Sequence, residues 1–331
     1  MTINAKTLFD PNLEKDNCGF GLIAQRNGKR SRKLVKKSIL GLTSMTHRGA
    51  IGADGKTGDG CGLLFDLNHP FFKFKVSKEL DVELPDFFAV AQLFHKNDID
   101  FYYSSISKFL NSQDLEISVI RSVPINNEVL GKIARQNLPN ISQVFITSKN
   151  INLNKERFEA CLLQARKFIE EKFDNDEEFY VCSMSTQTIV YKGLMLPSAI
   201  DEFYLDLKDK KFEAKICLFH QRFSTNTLPR WHLAQPFRLL AHNGEINAIR
   251  GNRNWAKARK SKFSTALIPE ITTFKNLVNE KGSDSSALDN MIEILVKGGI
   301  NTFRALRMVL PPAWQNIHMM DPEIKSFHEY N

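Results

Sequence analysis

The sequence has 331 residues and a net charge of +8 at pH 7, with 42% hydrophobic and 25% charged residues. These proportions are typical of a globular protein with a sizeable core, and no run of eighteen apolar residues predicts a membrane span. The first seventeen residues carry Asp10, Glu14 and Asp16 and lack an apolar centre, which excludes a secretory signal. We therefore predict a cytoplasmic protein with no membrane partner.

The cysteine pattern argues against a disulfide framework and against structural zinc. The number of cysteines is odd, no C-x-x-C pair occurs, and no histidine lies at metal-ligand spacing. We predict no metal site, and we expect each cysteine to be a small buried apolar residue unless another feature singles it out. The five are Cys18, Cys61, Cys161, Cys182 and Cys217.

The first predicted element singles out Cys18. The stretch EKDNCGFGLIAQ begins at Glu14, and residues 19–25 of it are typical of a β-strand. If the chain is cut between Asn17 and Cys18, the cysteine carries both a thiol and a free α-amine. That amine has a reference pKa of about 7.7 to 8.0 and can accept the thiol proton, so one residue supplies nucleophile and base.

The next elements predict a mixture of helices and strands. Residues 31–45 read as a helix behind a serine N-cap, and a glycine-rich loop, HRGAIGADGKTGDGCG, leads into a strand at 61–67. Within residues 86–148, three β-like runs and a helix near 98–111 predict a mixed sheet with an inserted α/β subregion.

The second half contains fewer strands and more helices. The runs EFYVCSMS and TIVYKGLM predict a strand pair, and residues 212–225 predict a long strand. Because no repeat or flexible linker occurs, we expect one continuous domain, layered with helices outside the strands. Periodicity alone leaves the class at α+β or α/β. Helices are predicted at 153–173, 245–263, 285–296 and 302–310.

The motif HNGEIN, which starts at His242, supplies candidate donors for an oxyanion. We expect Asn243 and Gly244 between a strand and a helix, where the Asn243 amide and the Gly244 N–H can stabilise developing negative charge. An ordinary Asn-Gly turn explains the same two residues.

Arg222, in the stretch FHQRFSTNT, is a candidate anion-binding residue. We expect it inside a buried strand, where a guanidinium needs an anion or a carbonyl to offset its desolvation. It can hold a substrate carboxylate through two hydrogen bonds. A buried structural ion pair is the alternative.

The stretch GSDSSALDN opens a predicted helix at Gly282. Its Asp284 carboxylate can hold a substrate ammonium group, although helix capping by Ser283 or Asp284 explains the motif equally well. The basic stretch 249–262 is explained by the solvated face of an amphipathic helix, and we predict no nucleic-acid partner because no nucleic-acid motif accompanies it.

Together these pieces form an ordered series: Cys18, HRGA with Arg48, HQRFST, HNGEIN and GSDSS. The chain resembles the N-terminal glutaminase domain of glutamate synthase large subunits, a class II glutamine amidotransferase of the N-terminal-nucleophile hydrolase type. The resemblance runs from Cys18 to the end. The stretch PRWHLAQPFR after the arginine motif is closer to glutamate synthases than to the sister enzymes of purine, glucosamine or asparagine synthesis.

The resemblance implies a role for each candidate. Residues 1–17 would be a propeptide and 18–331 the amidotransferase domain, with Cys18 as nucleophile and Asn243 and Gly244 as the oxyanion hole. Arg222 would bind the α-carboxylate of glutamine and Asp284 its α-ammonium group, with Arg48 and Thr225 in supporting positions. Asn226 and Thr227 depart from several sister enzymes, which have His or Gly after the threonine. Cys61 is expected to be structural.

The resemblance also implies the fold, the ligands and the partners. The fold would be an α+β, four-layer αββα sandwich, with L-glutamine as substrate and no cofactor in this chain. Full-length enzymes of this kind carry FMN and a 3Fe-4S cluster in more C-terminal regions, so we expect a truncated large subunit. Expected partners are synthase domains or subunits that receive ammonia and a small electron-donating subunit, with NADPH, NADH or ferredoxin left open as donor.

Two alternatives to this function stay open from the sequence. The chain could be a different class II amidotransferase, or a non-catalytic scaffold that keeps the fold for regulation or for ammonia channelling. An uncleaved leader would favour the scaffold, because an amide nitrogen at residue 18 cannot act as a base.

Overall fold

The computed structural model describes residues 19–150, 152–222, 228–312, 315 and 320–330. Its described strands form two four-stranded sheets, with strand orders β1-β8-β2-β7 in the first sheet and β4-β5-β3-β6 in the second. The strands are β1 (Phe20–Ala24), β2 (Cys61–Asp66), β3 (Ala89–His95), β4 (Leu115–Ser122), β5 (Asn140–Ser148), β6 (Tyr180–Ser185), β7 (Thr188–Gly193) and β8 (Ile216–Gln221).

Ten α-helices accompany the sheets in the described part of the chain. They are α1 (Arg32–Ser44), α2 (His69–Leu80), α3 (Ile99–Asn111), α4 (Lys132–Gln136), α5 (Lys155–Lys172), α6 (Ile200–Phe203), α7 (Ile249–Arg259), α8 (Asp284–Lys297), α9 (Thr302–Val309) and α10 (Pro322–Tyr330). None of the described helices is long and apolar enough to cross a membrane.

The helices and sheets form layers. Helix α1 packs on the first sheet, while α3 and α5 pack on the second. On β3, Val90 and Phe94 join an apolar cluster that contains side chains from both sheets. Ala89, Ala91 and Leu93, on the opposite face, pack with α3 and α5. Because a strand alternates its side chains between two faces, this division confirms the predicted layered α+β sandwich.

The prediction of a mixed sheet within residues 86–148 was wrong, because every strand pairing in the second sheet is antiparallel. The helix α3 connects β3 to β4, which run in the same direction, as the α/β pattern suggested. These two strands are not neighbours, however, since β5 lies between them and pairs antiparallel with each. The local sequence pattern therefore predicted correctly that a helix connects β3 to β4, but it did not predict that β5 lies between them.

The strands β6 and β7 exist as predicted, but they do not pair with each other. β6 pairs with β3 in the second sheet, whereas β7 pairs with β2 in the first. The connection between them is fixed by the Glu159 carboxylate of α5, which accepts hydrogen bonds from the Ser185 hydroxyl and from the N–H and hydroxyl of Thr186. A buried side chain thus holds the chain where it crosses from one sheet to the other.

Six of the ten described helices begin after a side-chain N-cap, and these caps are Ser31, Asn68, Asp98, Asn154, Ser283 and Asn301. Ser31 caps α1 as predicted, since its hydroxyl accepts a hydrogen bond from the Leu34 N–H. Helix α7 begins at Ile249, four residues later than predicted, and α2 was not predicted. The sequence of α2, HPFFKFKVSKEL, mixes lysine and phenylalanine without a clear apolar stripe at helical spacing. Its Phe71, Phe72 and Val76 are nevertheless buried.

Candidate functional site

The first strand places Gly19 beside the end of β8. The Gln221 N–H donates to the Gly19 carbonyl at 2.6 Å. A Cβ on Gly19 would lie 2.5 Å from the Gln221 carbonyl oxygen, so only glycine allows this approach. Cys18, the predicted nucleophile, lies outside the described residues and directly precedes Gly19 in the sequence.

Asn243 lies against the same glycine. A Cβ on Gly19 would be 3.2 Å from Asn243 Oδ1 and 3.4 Å from Nδ2. Asn243 Oδ1 is also 2.8 Å from Nε2 of His220 on β8. The structure therefore brings the predicted oxyanion amide next to the residue that follows Cys18.

The loop 239–247 that carries Asn243 contains no helix or strand and lies between β8 and α7 in the chain, as the sequence predicted. Side chains from elsewhere hold its backbone. The Gln235 amide accepts from the His242 N–H at 2.8 Å and donates to the His242 carbonyl at 3.0 Å. The Ile246 N–H donates to Asp284 at 2.8 Å. Polar contacts, rather than the simple Asn-Gly hairpin turn, set the shape of this loop.

Gly244 lies at a bend of the loop and is exposed. A Cβ added to it would lie 2.6 Å from Nε2 of His242. The His242 ring is held in turn by a 2.9 Å hydrogen bond between its Nδ1 and the Ser285 hydroxyl. A glycine is therefore favoured here by the neighbouring His242 ring, which a hydrogen bond holds in place.

Arg222 directly follows the last residue of β8 and does not lie inside the strand, which corrects the sequence prediction. It is 8% exposed, and its N–H donates to the Gly60 carbonyl at 2.8 Å. Its guanidinium donates to the Asp59 carbonyl at 3.4 Å. Burial lowers the pKa of Arg222, and the Asp59 and Asp284 carboxylates oppose that shift, so the guanidinium remains charged at neutral pH.

Asp284 is the first residue of α8, and Ser283 is the N-cap, since its hydroxyl accepts from the Ser286 N–H. The Asp284 carboxylate accepts from the N–H groups of Ile246 and Ser285. Capping therefore explains only part of the role of Asp284, which also connects α8 to the loop 239–247. Its charge also acts on Arg222, so a cation and an anion from distant parts of the sequence share one site.

The HRGA segment contacts the same strand end. A Cβ on Gly49 would lie 1.6 Å from Nε2 of Gln221 and 3.0 Å from the carbonyl oxygen of Arg222. Arg48, half-buried in the preceding 3₁₀ turn, is thereby brought to the edge of the site. Thr225, the remaining predicted residue, lies outside the described residues, as do Asn226 and Thr227.

The four described cysteines do not form a metal or cluster site. All are buried, and burial raises the pKa of each thiol, to about 12 for Cys182. Iron–sulfur clusters require several thiolates that converge on one point, and no group of three metal-ligating side chains occurs among the described residues. These cysteines do not fit the ligands of such a cluster, and Cys61 has the buried position that its structural interpretation requires.

Sequence reasoning missed His220 and Gln235, which contact the loop directly. His220, at 2% exposure, and Gln221, at 1%, are two buried polar residues that follow the apolar part of strand β8. That contrast was a signal, because a buried polar side chain needs a hydrogen-bond partner. Gln235 lies in irregular chain, where periodicity carries no information.

The chain is similar to known class-II glutamine amidotransferases and to glutamate synthases. The family model for class-II glutamine amidotransferases matches residues 18–331. The chain is 38% identical over 341 residues to the glutamate synthase [NADPH] large chain of Bacillus subtilis, covering 100% of this chain and 22% of that relative.

Two eukaryotic relatives give the same result. The match to glutamate synthase [NADH] of Saccharomyces cerevisiae is 36% identical over 338 residues, covering 98% of this chain and 16% of the relative. The match to the ferredoxin-dependent glutamate synthase of Pyropia yezoensis is 38% identical over 339 residues, covering 99% and 22%. The chain thus spans between 16% and 22% of the length of these three relatives.

Proposed function

The chain belongs to the class-II glutamine amidotransferases, and from this premise we propose that it hydrolyses glutamine at the site between β1, β8 and the loop 239–247. The observation that carries the proposal is the proximity of Gly19 to the Asn243 amide. A Cβ placed on Gly19 would lie 3.2 Å from Asn243 Oδ1 and 3.4 Å from Nδ2. That contact joins the neighbour of the predicted nucleophile to the predicted oxyanion donor, although 223 residues separate them (243 − 19 − 1).

Cys18 would act as the nucleophile after residues 1–17 are removed. Two observations support this assignment: the family match begins at residue 18, and the four other cysteines are buried with raised thiol pKa values. A thiol that is held protonated by burial is a poor nucleophile. The α-amine of a new N-terminus at Cys18 would accept the thiol proton, so no histidine is needed as a base.

The steps follow from these positions. The Cys18 thiolate attacks the carboxamide carbon of glutamine, and the resulting oxyanion would be stabilised by Asn243 Nδ2 and the Gly244 N–H. The amine gives its proton to the departing nitrogen, which leaves as ammonia. Water then attacks the thioester, releases glutamate and returns the thiol. Loss of one oxyanion donor typically lowers the rate about 100- to 1000-fold.

Arg222 and Asp284 would hold the amino-acid end of glutamine. Arg222 is buried and cationic, and Asp284 is a carboxylate close enough to influence its pKa. A zwitterionic substrate presents the complementary pair, a carboxylate to Arg222 and an ammonium group to Asp284. Arg48 and Thr225 would support the pocket near the nucleophile.

Ammonia produced here would be used by other parts of a longer enzyme. The relatives are glutamate synthases, so we propose that this chain supplies ammonia for the amination of 2-oxoglutarate. The FMN and the 3Fe-4S cluster would then belong to regions beyond the matched segment, together with the NADPH, NADH or ferredoxin specificity. A small electron-donating subunit, a cytoplasmic location and the absence of a nucleic-acid partner remain predictions.

A labelling experiment tests the function on the full chain. Intact mass should show loss of residues 1–17, and a glutamine-like diazoketone should inactivate the processed chain with one adduct on Cys18. Unprocessed chain and a Cys18→Ala variant should take up no adduct. Full ammonia release from chain that still begins at residue 1 or 2, or an adduct on any other cysteine, would contradict the proposal and favour a different chemistry. A retained leader with no ammonia release would favour a non-catalytic scaffold.

A further inference from the structure

His220 lies where it can control the Asn243 side chain. It is the penultimate residue of β8 and is 2% exposed. Its Nε2 is 2.8 Å from Asn243 Oδ1. Because β8 pairs with strands on both sides, the ring is anchored by the sheet. Asn243 instead belongs to an exposed loop without regular structure. One partner of this hydrogen bond lies in a strand paired on both sides, and the other lies in a loop that polar side chains hold.

The neutral ring and the orientation of the Asn243 amide together fix the direction of the hydrogen bond. Burial, with smaller contributions from Arg222 and His242, lowers the pKa of His220 to about 4, while the contacts with Asn243 and the His242 backbone act in the opposite direction. The imidazole is therefore neutral near pH 7 and carries one N–H. An amide oxygen can only accept, so that N–H lies on Nε2 and donates to Asn243 Oδ1.

This hydrogen bond determines which end of the amide faces the reaction. A side-chain amide can rotate by half a turn, which exchanges its oxygen and its nitrogen. With Oδ1 held by His220, Nδ2 and its two N–H donors remain available on the other side. The opposite rotation would present Oδ1 to an oxyanion, and two partially negative oxygens would repel each other.

We propose that His220 is a positioning residue that holds Asn243 in the orientation needed to donate from Nδ2 to the oxyanion. The inference rests on the proposed glutaminase function and assigns His220 no contact with substrate. It also separates two effects: the affinity for glutamine is set by other groups, so His220 acts on kcat and not on KM.

The test uses the processed full chain and its glutaminase kinetics. His220→Leu removes the donor and should lower kcat about 10- to 100-fold, less than the loss of an oxyanion donor itself, with KM for glutamine within about twofold. His220→Gln can place an amide N–H near the former Nε2 position and should keep at least a third of the kcat. His220→Asn is too short to do so and should resemble His220→Leu.

A double-mutant cycle distinguishes this role from a structural one. In an Asn243→Ala background, His220→Leu should cause no further loss of kcat, because the group that it positions is absent. His95→Leu is the matched control: His95 is also 2% exposed and hydrogen-bonded, but in the second sheet. It should lower thermal stability without changing kcat of the folded fraction.

The outcomes separate the inference from the function on which it rests. If the unmodified chain releases no ammonia from glutamine, the proposed function fails. If it does release ammonia, the positioning role is wrong when Asn243→Ala lowers kcat and His220→Leu does not. The role is also wrong when the losses of kcat in the two single variants multiply in the double variant. Should His220→Leu fail to fold, the comparison between His220→Gln and His220→Asn decides, and equal kcat values would overturn the inference.

Discussion

The second sheet and the loop 239–247 are held in shape by different kinds of interaction. In the second sheet, β3 has alternate residues in two apolar clusters, and every residue of β3 is buried. In the loop, no residue is fully buried. The shape of the loop depends on hydrogen bonds between its backbone and the side chains of Gln235, Asp284 and Asp289. Asp289 accepts from the N–H groups of residues 239 and 240.

The difference predicts where substitutions act. Apolar burial is shared among many contacts, so its loss lowers the free energy of unfolding of the whole domain. Each polar contact to the loop is a single hydrogen bond, worth about 0.5 to 1.5 kcal/mol between neutral groups and about 1.5 to 3 kcal/mol where a carboxylate accepts. We therefore expect changes in the sheet to affect stability, and changes around the loop to affect kinetics.

Breaking the buried charge cluster of the second sheet should have the largest effect. Arg121 on β4, with a side chain 1% exposed, donates to both carboxylate oxygens of Asp206 and to Glu79. Asp206→Ala removes the fully buried carboxylate partner of this guanidinium, leaves the partly exposed Glu79 as its remaining carboxylate partner among the described residues, and should lower the free energy of unfolding by about 3 kcal/mol. Urea unfolding would measure the loss.

The control for this change is Glu202→Ala, which removes an exposed ion pair with Lys208 and should cost at most about 1 kcal/mol. Equal losses in the two variants would mean that burial of the pair does not matter. A large fall in kcat of folded Asp206→Ala would contradict the separation between the two regions.

Arg222→Lys tests whether a change at the site affects kinetics rather than stability. A lysine keeps the charge but cannot form two parallel hydrogen bonds to a carboxylate, so KM for glutamine should rise about 100-fold, equivalent to about 2.7 kcal/mol. The free energy of unfolding should change far less. Arg230→Lys, at an exposed arginine paired with Glu177, should leave KM unchanged. An unaltered glutamine affinity in Arg222→Lys would count against the carboxylate assignment.

Glu170 connects the two regions and should make stability depend on pH. This carboxylate on α5 contacts Arg166 on the same helix and Arg238, which directly precedes the loop. Burial raises its pKa, but the two guanidinium groups and Lys167 outweigh this and lower it to about 2. A carboxyl with a lowered folded pKa stabilises the fold above its unfolded value, and that stabilisation is lost as pH falls.

We therefore expect unfolding free energy to decrease by about 2 kcal/mol between about pH 5 and pH 2 through this group. Glu170→Gln should reduce the slope in that window, while Glu156→Gln, at an exposed position in the first turn of α5, should not. Identical profiles for the unmodified chain and Glu170→Gln, measured by urea unfolding at each pH, would refute the assignment.

The smallest effect is expected at Gln235. Its side chain makes two hydrogen bonds to the backbone of His242, so Gln235→Ala should loosen the loop and lower kcat about tenfold, with a stability loss near 1 kcal/mol. Gln136→Ala, at an exposed position of α4, serves as the control. If Gln235→Ala lowers thermal stability strongly and leaves kcat intact, the loop is part of the core and the comparison does not hold.

The sequence by itself determined most of the helices and strands and the order of the site motifs. Periodicity and the cap at Ser31 were sufficient for α1, because its apolar stripe and its N-terminal donors are local properties. The motifs around Arg222, Asn243 and Asp284 each had an ordinary alternative explanation, and their order along the chain, which resembles that of class II glutamine amidotransferases, singled them out.

Only the tertiary structure decided which of these elements meet. It assigned β6 and β7 to different sheets, placed β5 between β3 and β4, and brought Gly19 to within contact of the Asn243 amide. It also made Asp284 a support for the loop and identified His220 and Gln235 as the groups that hold it. Such contacts join residues far apart in the chain, and neither periodicity nor capping carries information about them, because both depend only on near neighbours.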